Sequence, residues 1–238
     1  MLKGMNLTVG SPGGINAYTD GNFCRLLSGK KVIVSAGPTY EYLDPITFLG
    51  NRSSGKMGFS LAIAALAAGA EVVLVSGPVS LPDPEGISVH HIVSAEEMQN
   101  AVLSEYDDAD IVIMAAAVTD FRPADISGLK LKKAEQADGL RLVRTPDILA
   151  GLGKNKGNRF LCGFAAESNN VAEYARKKLK EKNIDLILAN DVTLPGSGFA
   201  VDTNIITAYY DNKEKAFPLL SKQEVACRII ELISEIMG

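Results

Sequence analysis

Short apolar runs alternate along this chain with segments of helical periodicity, and no other feature constrains the fold as strongly. The five runs span residues 31–35, 71–75, 111–115, 159–163 and 185–188. Each is continuously apolar, which is typical of strands buried on both faces of a parallel sheet. Helices are predicted at 57–68, 95–106, 146–152, 171–182 and 222–237. This order predicts a doubly wound, mostly parallel, Rossmann-like α/β sheet.

Two regions do not follow the alternation. Residues 1–29 are rich in Gly, Asn and Ser with little periodicity, so we expect a linker or remnant outside the fold. One domain is then predicted over 30–238. Residues 120–145 interrupt the pattern as an excursion from the sheet, which predicts a flap or a pair of edge strands.

Composition excludes several classes of protein. A net charge of −4 disfavours nucleic acid as a partner, and no apolar run reaches the length of a membrane span. The N-terminus has no signal-peptide pattern, and the three cysteines are widely spaced, so we expect a cytoplasmic protein with free thiols. The only histidines are adjacent, which argues against a His-based metal site or a Ser-His-Asp triad; no metal-ligating residues are predicted.

The segment 50–59 opens the first predicted helix with glycines, serines and a lysine. Unpaired N–H groups at a helix start attract a phosphate or carboxylate, and Asn51, Arg52 and Lys56 crowd this turn. Residues 50–56 also match the first seven positions of a Walker A loop. However, Met57 replaces the hydroxyl residue that binds magnesium, and the preceding strand ends far upstream, so a true P-loop is disfavoured.

Three further segments should share the rim at the carboxyl ends of the strands. In 115–123, Asp120 is suited to a ribose hydroxyl or magnesium, or serves as a simple turn residue. Lys130 begins a basic run that is either a flap closing on phosphates or a solvated face. Phe164 stacks on a base or packs in the core, and Lys178 and Lys182 share a helix face that could clamp a triphosphate. These features together favour nucleotidyl transfer driven by positioning and charge.

The chain as a whole resembles phosphopantothenoylcysteine synthetase, the second enzyme domain of a coenzyme A biosynthesis protein. The resemblance covers about residues 31–238 and rests on seven motifs in order: SAGPTYEYLDP, NRSSGKMG, AAAVTDFRP, KLKK, TPDI, GFAAESNN and LANDV. It implies that CTP activates the carboxylate of 4′-phosphopantothenate as an acyl-cytidylate, with Mg²⁺, and that cysteine then displaces CMP.

The resemblance also implies roles for individual residues. Asn51 contacts the activated acyl group, and Lys130 lies on a flap over the nucleotide and serves the second step. The expected nucleotide-binding residues are Met114, Ala115, Ala116, Asp120, Lys130, Pro146, Asp147, Ile148, Phe164, Lys178 and Lys182. The expected substrate-binding residues are Gly37, Asn51, Arg52, Ser53 and Lys56.

The implied partners are a second copy of the chain, as a homodimer, and an attached or separate flavin-dependent decarboxylase. One departure from the family is Thr47, where relatives often have an arginine that touches substrate. Two alternative functions are a non-catalytic nucleotide sensor and an NAD(P)-dependent oxidoreductase. An oxidoreductase of this fold needs a glycine fingerprint after the first strand and an acidic residue at the end of the second strand. The chain has neither.

Overall fold

The computed structural model describes residues 22–132, 139–167, 170–191, 198 and 201–238. Its helices are α1 (Lys56–Ala67), α2 (Ala95–Tyr106), α3 (Ile148–Lys154), α4 (Val171–Glu181) and α5 (Lys222–Met237). Its strands are β1 (Lys31–Ala36), β2 (Tyr40–Tyr42), β3 (Phe48–Gly50), β4 (Glu71–Ser76), β5 (Ser88–His91), β6 (Ile111–Met114), β7 (Phe121–Pro123), β8 (Leu142–Arg144), β9 (Phe160–Glu167), β10 (Leu186–Asp191), β11 (Thr203–Asn204), β12 (Ile206–Tyr210), β13 (Lys213–Ala216) and β14 (Leu220–Ser221).

The main sheet has eight strands in the order β13-β12-β10-β9-β6-β1-β4-β5. From β10 to β5 all neighbours pair in parallel, whereas β12 and β13 add an antiparallel edge. Taken in chain order, the six parallel strands follow the 3-2-1-4-5-6 arrangement of a Rossmann fold. The predicted fold class is therefore confirmed, and the five predicted strands are β1, β4, β6, β9 and β10.

Helices cover both faces of this sheet. Helices α1 and α5 pack on one face and α2, α3 and α4 on the other, each with its own apolar core. Successive side chains of a strand point to opposite faces, so Val32 and Val34 of β1 enter the first core and Ile33 enters the second. Among the described residues, no helix has both the length and the apolarity to cross a bilayer.

The segment before β1 differs from the expected linker. Phe23 and Leu27 are buried in the core between the sheet and α1 and α5, and the Leu27 amide donates to the Ala68 carbonyl at 2.9 Å. The expectation that residues 1–29 lie outside the fold is therefore wrong for 23–27, because two apolar side chains without periodicity are enough to anchor a short turn. Residues 1–21 lie outside the described residues, and the proposed domain division remains a prediction.

Two small antiparallel ribbons project from the loops that follow β1 and β6. One pairs β2 with β3, and the other pairs β7 with β8. The second ribbon is the base of the predicted excursion at 120–145, and it forms a separate sheet rather than an edge of the main one. The tip of the expected flap, residues 133–138, lies outside the described residues.

Candidate active site

The loops after β1 and β6 meet at the carboxyl edge of the sheet. These strands are neighbours whose connections leave in opposite directions, which is the switch point where open α/β sheets bind ligands. Gly37 adopts φ of +76°, and its carbonyl accepts the Ala117 amide at 2.8 Å. The Ser35 hydroxyl accepts the Ala116 amide at 3.1 Å. These bonds fix a narrow, small-residue backbone surface between the two strands.

The start of α1 faces this surface. Its N-cap is Gly55, with φ of +76°, and no side chain caps the first turn, so the amides there are available to an anion. The Asn51 side-chain amide donates to the Val118 carbonyl at 3.0 Å and to the Ala117 carbonyl at 3.3 Å. Asn51 thus ties the loop that leads into α1 to the loop that follows β6.

Two adjoining cavities lie along this edge. The α4-side cavity, of about 490 Å³, is bounded by the β6 loop, the start of α3, Lys178 of α4 and Lys182, the C-cap of α4. The α1-side cavity, of about 570 Å³, is bounded by the start of α1, the β6 loop and the start of α5. They share five lining residues, namely Ala116, Val118, Asp120, Phe164 and Lys178. A ligand with an apolar ring and an anionic tail can therefore extend from one cavity into the other.

Most of the predicted site residues come together in these cavities. The α4-side cavity is lined by nine of the expected nucleotide residues: Met114, Ala116, Asp120, Pro146, Asp147, Ile148, Phe164, Lys178 and Lys182. The α1-side cavity is lined by the tenth, Ala115, and by Asn51, Arg52, Ser53 and Lys56. Gly37 and Lys130 line neither cavity. The placement is compatible with the expected roles, which remain predictions.

Lys130 is exposed and lies beyond the rim. The amide of the next residue, Leu131, donates to the buried Asp44 carboxylate at 3.1 Å, which also accepts the Ile46 and Thr47 amides. These backbone hydrogen bonds hold the pKa of Asp44 below its usual value. The base of the basic segment is therefore anchored to the turn between β2 and β3. Lys133, the last residue of that segment, lies outside the described residues.

Asp147 and Lys182 form an ion pair on the wall of the α4-side cavity, with a separation of 2.9 Å. Asp147 is also the N-cap of α3 and accepts the Ala150 amide at 3.1 Å. Burial acts to raise the pKa of Asp147, but the hydrogen bonds and the charges of Lys182 and Lys178 outweigh it and lower the pKa. Asp147 thus stays ionised and holds Lys182 at the cavity wall.

Replacing Asp147 by Asn is expected to lower the free energy of unfolding by about 0.5 kcal/mol at pH 7, because the ion pair is half exposed. Asn caps a helix as well as Asp does, so the change removes the charge and keeps the cap. Since the folded pKa lies below the unfolded value of 3.8, the pair stabilises above about pH 4, and this contribution is lost as the pH falls through the folded pKa. Urea unfolding of both proteins at pH 7 and pH 3 measures this. A difference that is as large at pH 3 as at pH 7 would show that it does not come from the Asp147–Lys182 pair.

Four polar residues that line the α1-side cavity were not named as site residues from the sequence: Ser54, Asn190, Asn204 and Lys222. Asn190 is the second-last residue of β10, beyond the predicted strand, and Asn204 lies in the short strand β11. Lys222 follows the N-cap Ser221 as the first residue of α5. A cation at a helix N-terminus opposes the helix dipole, so its position was a signal that sequence inspection could have used.

A comparison with known protein families gives one decisive match. The model of the DNA/pantothenate metabolism flavoprotein C-terminal domain matches residues 27–237. The chain belongs to this family. It is also 49% identical over 210 residues to the coenzyme A biosynthesis bifunctional protein CoaBC of Bacillus subtilis. The aligned residues are 87% of this chain and 52% of that protein. The CoaBC of Escherichia coli K12 is 46% identical over 196 residues, 81% of this chain and 48% of that protein.

Two solved structures have the same architecture. A crystal structure of the CoaBC C-terminal domain has a TM-score of 0.77 and 41% identity, over 90% of this chain and 98% of that one. A Cab2 variant in complex with phosphopantothenate-cysteine has a TM-score of 0.72 at 17% identity, which shows the shared fold. The chain spans about half the length of the curated relatives that it matches.

Proposed function

We propose that this domain joins cysteine to 4′-phosphopantothenate with CTP as the activating nucleotide. The products are phosphopantothenoylcysteine, CMP and pyrophosphate, as in coenzyme A biosynthesis. The single observation that supports this most is the similarity to the CoaBC C-terminal domain over nearly the whole of that domain. The pair of adjoining cavities provides room for a nucleotide and an anionic second substrate side by side.

The proposed chemistry needs activation, because a carboxylate is a poor electrophile. A carboxylate oxygen of phosphopantothenate attacks the α-phosphorus of CTP, and the bond to pyrophosphate breaks. The cysteine amine, after losing a proton to solvent, then attacks the acyl carbon, and CMP leaves with the carboxylate oxygen. The domain's part is to bring several anions together and offset their repulsion, which suits the cationic and N–H-rich lining around Lys56, Lys178 and Lys182.

Magnesium fits the donor set of the cleft as an ion that arrives with the triphosphate. Within the described ranges, no group of three or more His, Cys, Asp or Glu side chains could hold a metal alone. Mg²⁺ typically uses one or two carboxylates together with substrate phosphates and water. Asp120, exposed on the wall common to both cavities, is the carboxylate that would join it. When bound there, Mg²⁺ would neutralise negative charge on the phosphates.

We also propose that the domain acts as a homodimer. The two ribbons expose neighbouring apolar side chains, including Ile46, Phe48, Phe121, Ile126 and Leu142. Exposed apolar side chains on two ribbons that contact each other through β2 and β7 are typical of a subunit contact. Sedimentation velocity tests this, and a monomer at micromolar concentration would contradict it.

The similar CoaBC proteins are bifunctional, so we propose a flavin-dependent decarboxylase as the attached or separate partner of this domain. It would consume the phosphopantothenoylcysteine that the ligase forms. The widely spaced cysteines favour a cytoplasmic location for both steps.

The experiment that tests the function measures pyrophosphate release with Mg²⁺, 4′-phosphopantothenate and either CTP or ATP, with and without cysteine. We expect release with CTP that requires phosphopantothenate and increases with cysteine. Release with ATP but not with CTP would contradict the nucleotide assignment. Binding of CTP without release under any substrate mixture would favour a nucleotide sensor.

Replacing Lys130 by Gln is expected to slow overall product formation about tenfold or more, while pyrophosphate release falls less than threefold. The reason is that a basic segment anchored outside the cavities acts by closing over a bound intermediate. Quench-flow measurement of CMP and pyrophosphate separates the two steps. Lys132→Gln, two residues along the same segment, is the matched control. An equal loss in both half-reactions would identify Lys130 as a nucleotide-binding residue.

A further inference from the structure

The α1-side cavity has a cationic end in which Lys56, an expected site residue, is joined by a lysine that was not expected there. Lys222 begins α5 and is 5% exposed, yet it lines this cavity. Lys56, the first residue of α1, lines the same cavity. Two lysines and the N-termini of two helices therefore meet in one place, which concentrates positive potential there.

Lys222 is held in position by backbone carbonyls. Its ammonium donates to the Val201 carbonyl at 2.5 Å and to the Gly198 carbonyl at 3.1 Å, and its amide donates to the Asp202 carbonyl at 2.9 Å. A lysine ammonium has three N–H groups, so over the described part of the chain one is left to face a ligand. Carbonyls orient the ammonium without cancelling its charge. Burial and the charge of Lys56 accordingly lower the pKa of Lys222, against the opposing charge of Asp202.

Asp202 is the negative group between these two lysines. Its carboxylate lies 2.5 Å from the Lys56 ammonium, and the hydrogen bond and charge of Lys56, with a smaller effect of Lys222, lower its pKa. The side chain of Asp202 is 83% exposed, whereas Lys222 is buried. The carboxylate can therefore leave for solvent at little cost, while the buried lysine cannot move away from the cavity.

We propose that Lys222 and Lys56 form a phosphate-binding site in the α1-side cavity, with Asp202 as an internal counter-ion that a substrate phosphate displaces from Lys56. The proposal rests on the proposed function, which brings two phosphate-bearing substrates into the cleft. A phosphate carries up to two negative charges and several acceptor oxygens, which suits two lysines and nearby helix amides. The one carboxylate of Asp202 does not neutralise both lysines, so the cluster keeps a net positive charge.

Two sources of the phosphate share this chemistry: the β- and γ-phosphates of the nucleotide, and the phosphate of 4′-phosphopantothenate. Isothermal titration of the full chain with inorganic pyrophosphate probes the first. Titration with 4′-phosphopantothenate and with pantothenate, which lacks the phosphate, probes the second. These are binding measurements, so they do not require turnover.

The variants Lys222→Met and Asp202→Asn should act in opposite directions. Lys222→Met is expected to weaken binding of one of the two phosphate probes about 10- to 100-fold and to leave pantothenate unchanged. Asp202→Asn removes the competing carboxylate and should tighten the same probe about two- to fivefold. Lys215→Met is the control, because Lys215 is a partly exposed lysine that pairs with Glu235 near the other end of α5.

The proposal is overturned if Asp202→Asn weakens the phosphate probes, or if Lys222→Met leaves both unchanged. Should Lys222→Met fail to fold, Asp202→Asn decides alone, because its side chain is exposed, and unchanged binding then contradicts the proposal. Failure of the proposed function looks different. In that case the wild-type chain would bind pyrophosphate with the same dependence on Lys222 and Asp202, yet release none from CTP.

Discussion

Replacing Asn51 by Asp is expected to slow the formation of pyrophosphate from CTP and phosphopantothenate about 100-fold or more. The Asn51 amide donates to the carbonyls of Ala117 and Val118, so it joins the loop before α1 to the loop after β6. An aspartate has no N–H to donate, and its charge would oppose both carbonyls and the incoming anions. Single-turnover pyrophosphate release measures the effect on the first half-reaction directly.

Two further variants separate the causes of this loss. Asn51→Ala removes the two hydrogen bonds without adding charge, and we expect about a tenfold loss. Asn100→Asp adds the same charge on an exposed position of α2 and should change the rate less than twofold. If Asn51→Asp releases pyrophosphate within about threefold of the wild-type rate, Asn51 has no role in forming the activated acyl group.

The helices that the sequence predicts to the residue are those with complete local signals. Helix α2 begins after Ser94, whose hydroxyl accepts the Glu97 amide, and α5 begins after Ser221, which forms a capping box with Glu224. Both helices end as predicted, at Tyr106 and Met237. Capping depends only on residues three or four apart, so a single sequence contains the whole signal.

Of the main-sheet strands missing from the prediction, β13 lies at the edge of the sheet and β12 lies next to it. Strand β13 has the sequence KEKA and is largely exposed. Edge strands lack the apolar run of a strand buried on both faces, and their pairing is determined by contacts far along the chain. For the same reason Lys222 was not recognised, because its burial depends on Gly198 and Val201 folding over it.

The glycine pattern of the site was only partly readable. No continuous GxGxxG follows β1, yet the structure shows three glycines with comparable roles. Gly37 forms the turn after β1, Gly55 caps α1 in the left-handed region, and Gly58 lets α1 approach β1 closely. Residues 38–54, which include the β2–β3 ribbon, separate the first glycine from the other two. A fingerprint based on spacing along the chain cannot detect residues that come together only in the fold.

Replacing Gly58 by Ala is expected to lower the free energy of unfolding by about 2–3 kcal/mol and to reduce pyrophosphate release at least tenfold. A Cβ at Gly58 would lie 2.5 Å from the Ala36 Cβ and 2.9 Å from the Ser35 carbonyl oxygen. Both belong to the central strand β1, which cannot yield, so α1 must shift outward. The shift would carry the N-terminal turn of α1, with Lys56, away from the cleft. Urea unfolding and the release assay measure the two effects.

Gly151→Ala is the matched control, because Gly151 also lies in a helix, α3, and a Cβ there would meet nothing within 4 Å. Alanine favours a helix over glycine by up to about 1 kcal/mol, so this variant should be as stable as the wild type or more stable. The two variants make the same chemical change and differ only in the space around the new methyl group. If Gly58→Ala has the same free energy of unfolding as Gly151→Ala but still loses activity, the close packing of α1 on β1 positions the anion site without stabilising the fold. If it keeps both stability and activity, the close approach of α1 to β1 does not matter to either.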